Sequence, residues 1–164
     1  MISHNINKEK FKFQYLPEYA DYLLKNKLDE FVLIGIRFFK DENLPILNLP
    51  QFKNLSEEEL VALSVTSNRE MLEALSSNEI ADYIAKNAKK WIANTLGIID
   101  KTDIAAEDLT LVFFVRRKIF GYFLDNYTKN IVEQKFIINE VDAYTTQEEL
   151  LSYNVFLKIL KEKI

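Results

Sequence analysis

The chain contains no cysteine, which excludes a disulfide framework, a thiolate metal site and a cysteine nucleophile together. Histidine is nearly as scarce, with His4 the one in 164 residues. It stands in the leading segment, away from where an axial haem ligand or a Glu-x-x-His di-iron pair belongs. Glycine occurs three times, at 35, 97 and 121, too few and too dispersed for a phosphate-cradling loop. A β-rich domain of this length would use more glycine in its hairpin turns. Arginine is limited to Arg37, Arg69, Arg116 and Arg117, and the net charge is −4. Phosphate neutralisation needs a basic face, so this balance speaks against nucleic acid as a partner. The longest strongly apolar stretches, Phe31 to Ile36 and Leu109 to Val115, fall far short of the about 20 residues of a membrane span. Met1 to Lys12 has no apolar core of signal-peptide length. The expected setting is the cytoplasm.

What is present reads as helix. With 48% hydrophobic and 28% charged residues, the chain has the makings of one domain with its own core. Residues 1–16 read as an irregular leader. Pro17 suits a first helical turn, and Tyr22, Leu23, Phe31, Ile34 and Phe38 recur at helical spacing to about Lys40. Residues 43–54 form a proline-containing connector, because Pro45 and Pro50 each push the preceding residue extended. Ser56 with Glu59 is a capping box that opens a helix to about Leu75. Ser76 or Ser77, with Glu79 behind it, opens another to Leu96, ended by Gly97. Thr102 or Asp103 caps a fifth helix to about Asn126. Its centre, Leu109 to Val115, is apolar on nearly every side and is expected mid-bundle. A sixth helix covers Thr128 to Tyr144, and Thr146 with Glu149 forms a capping box for a terminal helix over 146–164. The expected fold is all-α, a single bundle of six or seven helices over 1–164.

Residues that carry chemistry are sparse. Glu70 and Glu73 lie one turn apart, as do Asp103 and Glu107, but no histidine accompanies either pair. Lys86, Lys89 and Lys90 share a face beside Trp91; such a cluster could touch nucleic acid or an acidic partner, but a solvated face with Trp91 turned inward is expected. Arg116 and Arg117 point about 100° apart, so at most one faces inward. An inward arginine needs a carboxylate or a bound anion, and Asp108, Glu140 and Asp142 are the candidate partners. Tyr122, Tyr127 and Tyr144 either rim a small cavity or fill aromatic core. Arg116 and Tyr122 are thus the candidate inward polar or ligand contacts. No catalytic constellation, metal set or cofactor motif is found, and a non-enzymatic protein is expected.

The last helix carries the most specific pattern. Leu150, Tyr153, Leu157, Leu160 and Ile164 are spaced 3, 4, 3, 4, an a/d seam of the coiled-coil kind. Leu151, Val155, Phe156 and Ile159 form a second apolar face. Two faces imply that one packs on the chain's own domain and the other on something else. The sequence stops at Lys161-Glu162-Lys163-Ile164 without glycine or cap, as a helix cut in its middle would.

Several segments together resemble a known module. They are Trp91-Ile92-Ala93-Asn94-Thr95-Leu96, Glu107-Asp108-Leu109-Thr110-Leu111, Arg116-Arg117-Lys118, Phe123-Leu124-Asp125-Asn126-Tyr127-Thr128 and Ile137-Ile138-Asn139-Glu140-Val141-Asp142-Ala143-Tyr144. Over roughly residues 55 to 160 the chain resembles the helical N-terminal sensor module of bacterial histidine kinases of the Bacteroidetes type. It is similar in layout to the non-haem globin-like sensor domain of stressosome regulators. The resemblance implies a globin-like fold without haem, a homodimer, and a last helix leading into an output domain in the same chain or on a partner. The sequence itself holds no kinase histidine box and no nucleotide-binding glycines. The expected function is a sensory or regulatory module of bacterial signal transduction, transmitting through its C-terminal helix. The alternative is a stand-alone acidic protein-binding module of the immunity-protein or antitoxin type, a monomer with its last helix fully buried.

Overall fold

The computed structural model describes residues 6–92 and 105–162. Among the described residues there is no strand, and the fold is all-α. The helices are α1 (Leu16–Asn26), α2 (Leu28–Asp41), α3 (Pro50–Lys53), α4 (Glu57–Ser76), α5 (Ile80–Ile92), α6 (Ala106–Tyr122), α7 (Leu124–Tyr127) and α8 (Ile131–Glu162). Single 3-10 turns occur at Lys8–Phe11 and Pro45–Asn48.

Local chemistry explains most of these limits. The capping box at α4 is formed: the Glu59 N–H donates to Ser56 Oγ at 3.2 Å, and the Ser56 N–H donates to the Glu59 carboxylate at 2.7 Å. Ser76 and Ser77 close α4 and do not open α5. Both hydroxyls donate back to the Glu73 carbonyl, at 2.9 and 2.8 Å. The turn falls on Asn78, in the left-handed region at φ 56°, which asparagine tolerates better than most residues. The proposed Gly97 stop and the Thr102 or Asp103 cap lie outside the described residues. Within them, α6 is started by Asp108, whose carboxylate accepts the Ala105 N–H at 2.9 Å.

Four expected helices are corrected. The helix expected from Pro17 to Lys40 is divided at Lys27, where φ is −137°. No glycine or proline marks the break; the bend lets Leu23 on α1 and Phe31 on α2 both be fully buried. The helix expected to reach Asn126 ends at Tyr122, and Phe123 turns the chain into the short α7 while filling the core. The two helices expected over 128–144 and 146–164 are one. Thr145 lies inside α8, donating to the Val141 carbonyl one turn back at 2.7 Å, and nothing in the sequence there forces a turn. The helix begins at its own cap, Asn130, whose Oδ1 accepts the N–H groups of Val132 and Glu133 at 3.0 and 3.3 Å.

The leader is likewise part of the fold. Phe11 is buried in the main core. Phe13 is paired with Asn78 in both directions: its N–H donates to Oδ1 and its carbonyl accepts from Nδ2, each at 3.0 Å. The connector also contributes, since Leu47, Phe52 and Leu55 pack on a second cluster of Val32, Ile36 and Leu60.

In the main bundle α4 packs on α1 and α2, and α6 lies between α2 and α8. The α2–α6 contact is close at Gly35, where an added Cβ would stand 3.0 Å from Ile119 Cδ1. Leu109, Phe113 and Val115 of α6 are buried, but Phe114 is 45% exposed. The segment expected in the middle of the bundle does lie between α2 and α8, but one edge of it, at Phe114, meets solvent. At the centre, Phe120 packs edge-on against Phe31 and Tyr144. The Phe120 carbonyl accepts the Tyr19 hydroxyl at 2.6 Å.

One carboxylate joins the start of α1 to α8. Glu140 of α8 accepts the backbone N–H groups of Gln14, Tyr15 and Leu16 at 2.8, 2.8 and 2.6 Å. These are donors that the start of α1 cannot satisfy by itself. Glu140→Ala is therefore expected to cost about 2 kcal/mol, the scale of a lost helix cap or charged hydrogen bond. A fall of the urea midpoint at unchanged slope checks this.

Candidate functional site

Most of the residues singled out by the sequence lie on two helices, Leu150, Tyr153, Leu157 and Leu160 on α8 and Arg116 and Tyr122 on α6. A helix of 32 residues is about 48 Å long. The two helices run antiparallel, since Ala106 and Thr110 meet Tyr153 while Arg117 meets Asp142, Thr146 and Glu149. The inner face of α8 carries Ile137, Val141, Tyr144, Val155, Phe156 and Ile159, all buried. The second apolar face proposed from sequence is thus the one that packs on the bundle.

Polar groups are set into that inner face. Arg116 is the inward arginine, its side chain 23% exposed, and its partner Glu148 is 10% exposed. Arg116 Nη1 donates to Glu148 Oε2 at 2.5 Å and to the Tyr144 hydroxyl at 3.3 Å. The guanidinium also lies 5.2 Å from the centre of the Phe113 ring, a cation–π distance. Burial opposes its charge, but Glu148 and the nearby Tyr144 and Tyr83 hydroxyls outweigh this and hold it protonated above its ordinary range. The partners expected from sequence are corrected. Asp108 caps its own helix, Glu140 caps α1, and Asp142 lies 3.5 Å from Arg117 instead. Arg117 takes the flank, donating to Glu149 at 3.3 Å and to Thr146 Oγ1 at 3.1 Å. Glu148 was legible only as part of a face, one turn beyond Tyr144 and two beyond Val141.

Tyr122 is the second correction. It is not inward: it is 54% exposed, with its ring against Phe38 and Phe123. Tyr144 is fully buried, and Tyr127 packs on Tyr19 and Tyr22. These tyrosines fill space as aromatic core, so no shared rim brings Tyr122 and Arg116 together. Every fully buried side-chain nitrogen or oxygen among the described residues has a partner, those of the arginine site included. No group of three or more histidine, aspartate or glutamate residues among the described residues is placed to hold a metal. Of the lysine cluster, Lys86 and Lys89 are exposed; the Trp91 side chain lies outside the described residues.

The outer face of α8 is of a different kind. Leu150 and Leu157 of the seam are 54% and 51% exposed. Upstream, Val132 and Phe136 are 61% and 44% exposed, although the sequence pattern had drawn no attention to them. Tyr153 departs from the seam: it leans onto α6, its hydroxyl bonded to that of Thr110 and to the Ala106 carbonyl. The Leu160 side chain and all of Ile164 lie outside the described residues. Phe136 is stacked on Tyr15 at 4.8 Å and 6°, so the outer face touches the start of α1 where Glu140 caps it.

No protein-family model matches the chain, and no curated protein or solved structure matches it. Among the described residues no helix is long and apolar enough to cross a membrane.

Two measurements test this account of the inner face. Arg116→Met would leave Glu148 without its countercharge in a largely buried position, an expected loss of about 3 kcal/mol. Adding Glu148→Leu to that variant is expected to regain most of the loss, as denaturant midpoints of the four proteins in the cycle will read. Burial holds the phenols of Tyr19, Tyr83 and Tyr144 protonated above the usual tyrosine range. A group raised in the folded state stabilises fully below its unfolded value, about pH 10 for tyrosine, and the contribution is lost above it. Stability should therefore be flat through neutrality and fall above about pH 10. Phenolate absorbance should show these tyrosines ionising only as the protein unfolds.

Proposed function

We propose that the chain is a non-enzymatic sensory or regulatory module that pairs with a second copy along α8 and transmits through that helix. One observation carries the reading: an unbroken helix of 32 residues with one apolar face buried on its domain and a second apolar face in solvent. A soluble domain gains nothing by exposing several large apolar groups along one line, and such patches mark contact sites. Side chains from the start of α1 and from α6 touch α8. Tyr15 stacks on it and Glu140 caps α1 from it, while Arg116 and Arg117 grip it from α6. A change in the packing of α1 or α6 would therefore shift or rotate α8 as a rigid element. An output domain, in the same chain or on a partner, would read that motion.

The resemblance of residues 55 to 160 to non-haem, globin-like sensor modules of bacterial histidine kinases points the same way, and supports a cytoplasmic signalling role. The competing reading, an acidic immunity-protein or antitoxin type of binder, calls for a last helix buried all round. The exposure of Leu150 and Leu157 weighs against it.

The test uses those two residues, because substituting exposed side chains leaves the core intact. The wild-type chain is expected to have the mass of a dimer by light scattering. The Leu150→Asp, Leu157→Asp double variant should keep its helical circular dichroism and become a monomer. A wild-type monomer at high concentration, or a variant that stays dimeric, overturns the reading.

A further inference from the structure

The continuity of α8 extends the seam beyond what the terminal segment alone shows. Counting back from Leu150 and Leu157 in steps of 3 and 4 reaches Thr146, Ala143, Asn139, Phe136 and Val132. The phenyl of Phe136 is partly covered by Tyr15; Val132, Asn139, Ala143, Thr146, Leu150 and Leu157 are exposed likewise. The stripe runs over residues 132–157, about 38 Å at the rise of an α-helix. It runs directly opposite the buried line through Val141 and Ile159, and no charged residue falls on it between Val132 and Leu157. In heptad terms, Phe136, Ala143, Leu150 and Leu157 occupy a, and Val132, Asn139 and Thr146 occupy d; the d position at Tyr153 is turned onto α6 and stands outside the stripe.

The composition of the stripe selects the partner and its direction. We propose that α8 pairs with α8 of a second copy in parallel and in register, so that each stripe residue meets its own counterpart. This rests on the homodimer reading above and specifies its geometry. In that arrangement Asn139 faces Asn139 and Thr146 faces Thr146, so each polar layer finds a hydrogen-bonding equal. A buried asparagine pair is also the device that fixes register in parallel coiled coils. Ala143, between them, lets the backbones approach. The flanks agree in charge. Lys135 takes a g position and Glu140, which keeps its bonds to the start of α1, the e position five residues on, so opposite charges face each other across the two copies there. Antiparallel pairing about the centre of the stripe would set Asn139 against Leu150, leaving an amide against an apolar side chain at a cost.

The contact also engages the site that joins α1 to α8. Phe136 and Glu140, both on the proposed interface, are the residues that stack on Tyr15 and cap α1. Movement at the start of α1 would therefore be felt at the dimer seam within one helical turn.

The absence of native cysteine makes the test direct. Ala143→Cys and Leu150→Cys are made singly, with Thr66→Cys on the exposed side of α4 as a control, and each is mildly oxidised. Parallel in-register helices bring like a positions within disulfide range, roughly 6 Å between Cα atoms. Both α8 variants should then form covalent dimers at least tenfold faster than the control. Asn139→Cys mixed with Leu150→Cys should give no preferential mixed product. A protein dimeric by light scattering that links Asn139→Cys to Leu150→Cys, or links neither a position to itself, overturns the parallel arrangement and leaves the homodimer reading standing. A protein monomeric by light scattering overturns both.

Discussion

A guanidinium inside a helical core has few acceptable surroundings, and the place where Arg116 finds its carboxylate decides how α6 and α8 cross. Glu148 and the Tyr144 hydroxyl sit one turn apart on α8, both within reach of the same nitrogen. Sliding α8 by a turn in either direction would leave a charge unpaired in a site that is mostly buried. Hydrophobic contacts between the same helices are more forgiving, because Leu, Ile and Phe accept several registers at similar cost. The ion pair thus sets the register, and the apolar contacts around it supply most of the burial. A buried pair of this kind is weak evidence for extra stability but a good device for excluding alternatives.

With that register set, the rest of the bundle follows. Placing Tyr144 against Phe120 brings α6 under the aromatic cluster that also holds Phe31 and Tyr19. It carries Glu140 to the start of α1, where three backbone donors need an acceptor. The leader is held by a separate clasp, the reciprocal hydrogen bonds between Phe13 and Asn78. The segments before α1 and the turn between α4 and α5 therefore stabilise each other through side-chain chemistry, without a strand.

The sequence was most legible where a signal is local and covalently near. The Ser56–Glu59 capping box needs only four residues and was formed as expected. The all-helical character followed from scarce glycine and from apolar spacing. Signals that depend on remote partners were read poorly. Thr146 and Glu149 have the spacing of a capping box, but a capping box exists only where a helix starts, and here the chain is already helical. That misplaced start concealed two things at once: Glu148 as the partner of Arg116, and the continuation of the outer stripe back to Val132. Tyr122 failed for a related reason. Its placement depends on where α6 ends, and the turn at Phe123 carries neither glycine nor proline to announce it.

A helix with two working faces is also constrained in length. Inserting one residue in the middle of α8 rotates everything beyond it by about 100°. Ile159 would be lifted from the core and Leu157 swung away from the outer line, so both faces would fail together. An added heptad drifts by only about 20° and leaves both faces nearly aligned. Lengthening or shortening of this helix in related chains, or in engineered fusions, should therefore be tolerated in steps of seven and resisted in between.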